Sequence, residues 1–271
     1  MHETLVYDYA INLLRDFVKE KGFIEVPAQS RLNIMSACED PSTVATFKIG
    51  GQVMPMIQSS QMTLEHEILQ NQHYKGVYCM STSYRDEPNP IKGRHCLTFP
   101  LFEIESFGGM EDMIKFQAEL LDYLGFKNPS EALYEHVCLE YGIDIIEGKH
   151  ESKMQKDYGD VISLQYFPKR ANPFFNMNHH RDDLYEKVDV ILAGQETIGS
   201  ASRSSDRQMM YDNFMSISNG EYSQKLFDLF GKERVMHELN TYLSLDFVPR
   251  YGMGIGVTRL CRALKECKIY G

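Results

Sequence analysis

Arginines, a histidine, carboxylates and an aromatic crowd into the segment Tyr84-Arg85-Asp86-Glu87 … Arg94-His95 … Thr98-Phe99-Pro100-Leu101-Phe102-Glu103-Ile104-Glu105. Pro88, Pro90 and Gly93 break the middle of it, so it reads as two strands joined by a loop. Side chains alternate across a strand. Arg85 and Glu87 therefore share one face, and Phe99, Leu101, Glu103 and Glu105 share one on the second strand, with Phe102 and Ile104 opposite. A face this charged is costly to bury unless each charge has a partner. Arg94 and His95 sit in the turn, where cations could close over phosphates. The bland alternative is a solvated hairpin face with surface ion pairs.

A second segment runs Asp189-Val-Ile-Leu-Ala-Gly194-Gln-Glu196-Thr-Ile-Gly199-Ser-Ala-Ser-Arg203. An acid inside an apolar strand needs a cation or donors. Asp189 and Glu196 could share a magnesium ion, which takes one or two carboxylates plus phosphate oxygens. Arg203, placed beyond a turn of small residues, could pair in bidentate fashion with a substrate carboxylate. A buried Asp–Arg pair is the structural alternative. A third segment, Gly252-Met-Gly254-Ile-Gly256-Val-Thr-Arg259, combines glycines that permit close backbone approach with an arginine one turn into a helix. It ends the chain, so a dinucleotide fold has no room for its second strand, and no Walker lysine is present. A fourth, Gln58-Ser59-Ser60-Gln61-Met-Thr-Leu64-Glu65, lies between a strand and a helix start, where Ser59 or Ser60 would serve as an N-cap. His179-His180 reads as a solvated turn, not a metal site.

The elements that must hold these groups follow from periodicity. Apolar positions 5, 6, 9, 10, 13, 14, 17 and 18 form a helical stripe ended by Gly22. Strands are expected at 23–26, 77–87, 98–106, 161–167 and 188–193, and helices at 111–124, 129–141, 222–230, 232–242 and 257–267. Regular β-α-β alternation is missing. The expected class is α+β, an antiparallel β-sheet flanked by helices.

Composition narrows the function classes. The 271 residues are 43% hydrophobic and 24% charged, which is globular and excludes disorder as the main state. No run approaches the length of a membrane span and the N-terminus lacks signal-peptide character, so a cytoplasmic protein is expected. The 28 Lys and Arg against 38 Asp and Glu give a net charge of −10, which argues against nucleic acid as the main partner. The six cysteines show no zinc spacing and read as reduced thiols.

Taken in order and spacing, the four segments resemble the catalytic core of a class II aminoacyl-tRNA synthetase of the aspartyl/asparaginyl branch. Tyr84-Arg85-Asp86-Glu87 … Arg94-His95 … Phe99 resembles motif 2, and Gly252 to Leu260 resembles motif 3. Gln58-Ser59-Ser60-Gln61 and Gly194 to Arg203 resemble the amino-acid-binding segments, and Tyr158-Gly159-Asp160 … Phe167-Pro168 … Pro173-Phe174-Phe175 also fits that branch. The resemblance covers about residues 5 to 268. It implies one catalytic domain over 1–271, without an anticodon-binding domain, and a homodimer.

The resemblance also implies roles. Arg85 would bind the α-phosphate and the reacting carboxylate, Glu87 would face the adenine side, and Arg94 and His95 would hold the outer phosphates of ATP. Phe99 would stack on adenine, with Arg259 on the other face reaching the γ-phosphate and Gly254 and Gly256 alongside. Asp189 and Glu196 would hold Mg2+. Ser60, Gln61, Glu103 and Thr98 would line the amino-acid site, with Glu103 and Gln61 on the ammonium and Arg203 on the far carboxyl or amide. Two positions depart from the pattern. Thr98 stands where a glutamate precedes the motif 2 phenylalanine, and Leu64 where aspartyl enzymes carry a lysine, which brings the chain nearer the asparaginyl side. Motif 1's proline is displaced, with Pro27 nearest. The implied chemistry is attack of a carboxylate on the α-phosphorus of ATP, giving acyl-AMP and pyrophosphate, by positioning and charge neutralisation. The expected acyl acceptor is ammonia, as in synthetase-derived asparagine synthetases, or a carrier. The alternatives are transfer to tRNA and a non-catalytic adenylate-binding paralogue.

Overall fold

The computed structural model describes residues 3–37, 41–94 and 96–270. Eleven strands occur among them: β1 (Ile24–Glu25), β2 (Thr46–Ile49), β3 (Gln52–Pro55), β4 (Gly76–Tyr84), β5 (Thr98–Phe107), β6 (Ser130–Leu133), β7 (Val161–Pro168), β8 (His179–Arg181), β9 (Leu184–Leu192), β10 (Gln195–Arg203) and β11 (Arg250–Gly256). The helices are α1 (Glu3–Glu20), α2 (Gln61–Gln70), α3 (Met110–Leu124), α4 (Tyr134–Tyr141), α5 (Gly148–Tyr158), α6 (Arg207–Ser216), α7 (Glu221–Phe230), α8 (Lys232–Leu243) and α9 (Val257–Glu266).

A single sheet of nine strands organises the chain, in the order β1-β4-β5-β11-β10-β9-β7-β6, with β8 beside β9. Its centre is antiparallel, as expected. Its edges are not: β1 runs parallel to β4 and β6 parallel to β7, so the sheet is mixed. The fold is α+β. β2 and β3 form a separate hairpin.

Strand alternation divides the sheet into an apolar face and a polar face. Tyr78, Phe102, Ile104, Val188, Val190, Ile198, Tyr251, Met253 and Ile255 point one way and join the main core. α1, α3 and α9 close that core with Val18, Leu14, Phe116, Leu120, Leu260 and Leu264. Of the stripe read along α1, Val6, Ala10, Leu14, Phe17 and Val18 are buried with Ile11, whereas Leu5 and Tyr9 are exposed. The other face carries Glu103, Glu105, Asp189, Arg203 and the glycines of β11, and forms the floor of a cleft. α4 and α5 pack on β7 at one end, through Val137, Met154 and Leu164. A second helical cluster, α6 to α8, packs around Phe214, Leu226 and Leu239, and its Tyr222 reaches the cleft.

Several local readings change. Residues 129–141 are not one helix; β6 precedes α4, because pairing with β7 claims residues 130–133. α5 and α6 carry too few apolar side chains for periodicity to reveal them: only Met154 is buried in α5, and Met210 and Phe214 in α6. The turn of small residues expected before Arg203 is instead the strand β10, whose Gly199, Ser200 and Ala201 pair with β11 on one side and β9 on the other. The glycine-rich stretch before α9 is likewise a central strand. Of the cysteines, Cys79, Cys96, Cys138, Cys261 and Cys267 are free thiols, and Cys38 lies outside the described residues. No described helix is long and apolar enough to cross a membrane.

Candidate functional site

The cleft encloses about 1280 Å3 and is lined by Ser59, Gln61, Arg85, Glu87, Arg94, Phe99, Glu103, Glu105, Lys187, Glu196, Arg203, Gly254, Gly256 and Arg259, among others. Segments far apart in sequence meet here because β5, β11, β10 and β9 are neighbours in the sheet. Two chemically distinct ends result.

One end is a buried ionic network. Glu103 is 3% exposed and accepts from the Ser60 backbone N–H at 2.9 Å and the Ser81 hydroxyl at 2.8 Å, while Ser59 also donates to it. Two residues along the same face, Glu105 takes a hydrogen bond from Arg203 Nη2 at 2.7 Å. Its other oxygen, Oε2, is buried without a hydrogen-bond partner. Burial pushes the Glu105 carboxyl up to about 8 against the pull of Arg203, with help from the nearby charge of Glu65. Glu65 is the hub behind it. It accepts from Asn176 at 2.6 Å, Gln61 at 2.9 Å, Tyr242 at 2.7 Å and Arg250 Nε at 2.9 Å, and lies 3.6 Å from Arg203 Nε. Burial pushes Glu65 upward, but Arg250 and then Arg203 outweigh it and hold the carboxyl below its ordinary value. The network satisfies the rule that buried charges must be paired.

Gly252 belongs to this network in an unexpected way. It pairs with Glu105 across β5 and β11, and a Cβ there would fall 1.8 Å from Glu105 Oε1. The missing side chain leaves room for a protein carboxylate, not for a ligand.

The other end gathers cations around Glu196. Arg259, in the first turn of α9, donates to the Glu196 carbonyl at 2.6 Å, and its guanidinium lies 3.8 Å from the Glu196 carboxylate. Arg94 pairs with Glu151 of α5 at 2.6 Å and reaches Ser152 at 3.2 Å. Arg85, just past β4, rests over the Phe99 ring at 5.2 Å from its centroid. Desolvation works upward on Glu196, but Lys187, Arg259, Arg85 and Arg94 outweigh it and hold its carboxyl low. Asp189 behaves oppositely. Burial pushes it up to about 7, opposed by Lys187 and reinforced by Glu196 and Glu151.

Whether these two acids suit a divalent ion is tested by Gly199. A Cβ at this position would lie 3.1 Å from Glu196 Oε1 and 3.6 Å from Asp189 Oδ1, so the bare glycine leaves a gap between the carboxylates. Asp189 Oδ1 is buried without a hydrogen-bond partner. Hard oxygen donors flanking a gap fit Mg2+, whose remaining ligands are typically water and phosphate oxygens. No group of three or more His, Cys, Asp or Glu that could hold a metal occurs among the described residues.

Most residues expected from the sequence therefore reach the cleft. Three described ones do not line it: Thr98 is exposed on the opposite face of β5 from Glu103 and Glu105, Ser60 is buried behind Glu103, with Ser59 and Gln61 facing the cleft instead, and Asp189 lies behind the lining. Ser60 is positioned as the N-cap of α2, but its side chain makes no cap hydrogen bond. Asp189 lies beneath Lys187 and Gly199 at 7% exposure. His95 lies outside the described residues. Leu64 is fully buried. The Asp–Arg pair weighed as the structural alternative does not form; Asp189 pairs with Lys187. Sequence reading passed over Glu151, Lys187, Asn176, Tyr242 and Arg250. Lys187, two residues before a buried acid on one strand, carried a usable signal; the others became partners only through packing.

This geometry has relatives. The family model for class II tRNA synthetases (D, K and N) matches residues 5–268. The chain belongs to this family. The synthetase relatives include a lysine–tRNA ligase from Thermosipho africanus, 22% identical over 94% of this chain and 58% of the relative, and an asparagine–tRNA ligase from Pelotomaculum thermopropionicum, 23% identical over 91% of this chain and 61% of the relative. The chain thus spans about three fifths of the curated synthetases it matches. Among solved synthetase structures, asparaginyl-tRNA synthetase from Pyrococcus horikoshii, complexed with asparaginyl-adenylate, superposes with a TM-score of 0.80 at 18% identity, over 97% of this chain and 65% of that one. The asparaginyl-tRNA synthetase of Entamoeba histolytica gives 0.75 at 21% identity, over 97% of this chain and 64% of that one. At such identities these likenesses establish the synthetase fold.

Proposed function

We propose that the chain is an ATP-dependent, AMP-forming ligase that activates an amino acid of the aspartate/asparagine type. The observation that carries this is the pairing of Arg203 with Glu105 at the closed end of a cleft whose open end holds Arg85, Arg94 and Arg259. A carboxamide offers one acceptor and one donor, matching a guanidinium beside a carboxyl with a vacant oxygen. A substrate ammonium at that end would meet the Arg203 charge, which disfavours a lysine-type side chain although lysine–tRNA ligases are among the relatives. Glu103, held by serine and backbone donors, would take the α-ammonium together with Gln61.

In the reaction, a carboxylate oxygen of the amino acid attacks the α-phosphorus and the bond to pyrophosphate breaks. Arg85 would neutralise charge at the α-phosphate, and Arg94 and Arg259 at the outer phosphates. Phe99 would receive the adenine ring, which requires Arg85 to leave its face. Mg2+ held by Asp189 and Glu196 would neutralise phosphate charge when bound.

Amino-acid-dependent exchange of pyrophosphate into ATP tests the proposal across a panel of amino acids. Exchange with asparagine or aspartate supports it, and absence of exchange with ligand still bound points to a non-catalytic adenylate-binding protein. The acceptor is proposed to be ammonia or another small nucleophile, on the net charge of −10. The relatives' names favour tRNA instead. AMP release with ammonia, a carrier or tRNA separates these outcomes. A homodimer is proposed on family grounds, and light scattering checks it.

A further inference from the structure

β9 places Lys187 and Asp189 two residues apart on the cleft face, and the Lys187 ammonium donates to Asp189 Oδ2. The same ammonium lies 3.7 Å from the centroid of the Phe167 ring, a second contact that holds it in place. Lys187 lines the cleft, whereas Asp189 lies behind it with Oδ1 unpartnered near Gly199. A positive charge thus already sits on Asp189, in the cleft that Glu196 also lines.

We propose that Lys187 is a resident cation of the phosphate end, binding the outer phosphates of the nucleotide directly and leaving room for one divalent ion between Asp189 Oδ1 and Glu196. An ammonium has three donors. One is spent on Asp189 and one faces the Phe167 ring, which leaves one for a phosphate oxygen entering the cleft. The charge is held by the strand, so it acts without a metal. It also repels a divalent ion at short range. Two effects of opposite sign follow: Lys187 strengthens nucleotide binding when metal is withheld, and weakens binding of a divalent ion when nucleotide is withheld. The inference rests on the nucleotide-binding reading above, but its metal half does not depend on it.

The experiment uses the full chain, wild type, K187M and K187R, with thermal melting recorded for each. ATP affinity is measured by equilibrium dialysis in EDTA, and Mn2+ affinity by electron paramagnetic resonance without nucleotide. K187M should lose about tenfold in metal-free ATP affinity and bind Mn2+ about three- to tenfold more tightly, the scale expected for one partly screened charge contact. K187R should stay within about twofold of wild type in both, since it keeps the charge. If K187M fails to melt cooperatively, K187Q carries the same two expectations. Unchanged metal-free ATP affinity in K187M, or Mn2+ binding that weakens, overturns the proposal. Wild type that binds no ATP even with Mg2+ present refutes the nucleotide reading instead, and the Mn2+ titration then judges Lys187 alone.

Discussion

Arg94 and Glu151 meet at 2.6 Å, and the same Glu151 oxygen accepts the backbone N–H of Glu196 at 2.8 Å. A single carboxylate on α5 therefore ties the motif 2 loop to the start of β10, on which Glu196 stands. Glu151→Ala should free both. The expected result is an ATP KM raised about tenfold with the amino-acid KM unchanged, because uniform binding of one substrate is lost. Glu151→Gln, which keeps one acceptor, should fall between. Equal loss for both substrates would mean that Glu151 only supports the fold.

Arg85, just past the end of β4, and Arg259, in the first turn of α9, both line the end of the cleft proposed to take the phosphates. Replacing either by alanine should lower pyrophosphate exchange by about two to three orders of magnitude, as removal of a preorganised charge-stabilising donor does. Melting temperature should change little, since both side chains are partly solvated. Exchange at the wild-type rate in either variant would contradict their placement at the reacting phosphates.

Arg250 is wholly buried, with Glu65 as its partner at 2.8 Å. Arg250→Met leaves Glu65 short of a cation and should cost roughly 3–5 kcal/mol of stability by denaturant unfolding, the usual penalty for an uncompensated buried charge. Arg203→Ala should also destabilise, but its distinguishing effect should be a raised KM for the amino acid relative to that for ATP. An unchanged amino-acid KM would remove Arg203 from the binding end.

Glu105 supplies a pH signature. Its ordinary carboxyl value of 4.5 is raised to about 8 in the fold, first by burial. The native state therefore holds a proton that the unfolded chain has released between those limits. Stability from this group is full below about pH 4.5 and declines as pH rises through 8. Melting temperature should fall across that window, and Glu105→Gln should flatten the decline. A melting profile of the same slope in the variant would show that Glu105 carries no such proton.

Chemistry with a local signature was legible in the chain. Alternation alone put Glu103 and Glu105 on one strand face and required partners for them, because the side-chain period of a strand is set by backbone geometry. An acid inside the apolar run 188–192 announced Asp189 as a group needing a cation, and four ordered motifs indicated an α+β synthetase core. Which partners those acids take depended on contacts across the sheet and between layers. Glu65 finds Arg250 across 185 residues of sequence, and Arg94 finds Glu151 across 57. No local pattern encodes such pairs, since they arise only when β5, β11, β10 and β9 pack side by side beneath the flanking helices. The same packing turned an expected turn before Arg203 into a strand, because a central position in the sheet satisfies the backbone of small residues that would otherwise favour a loop.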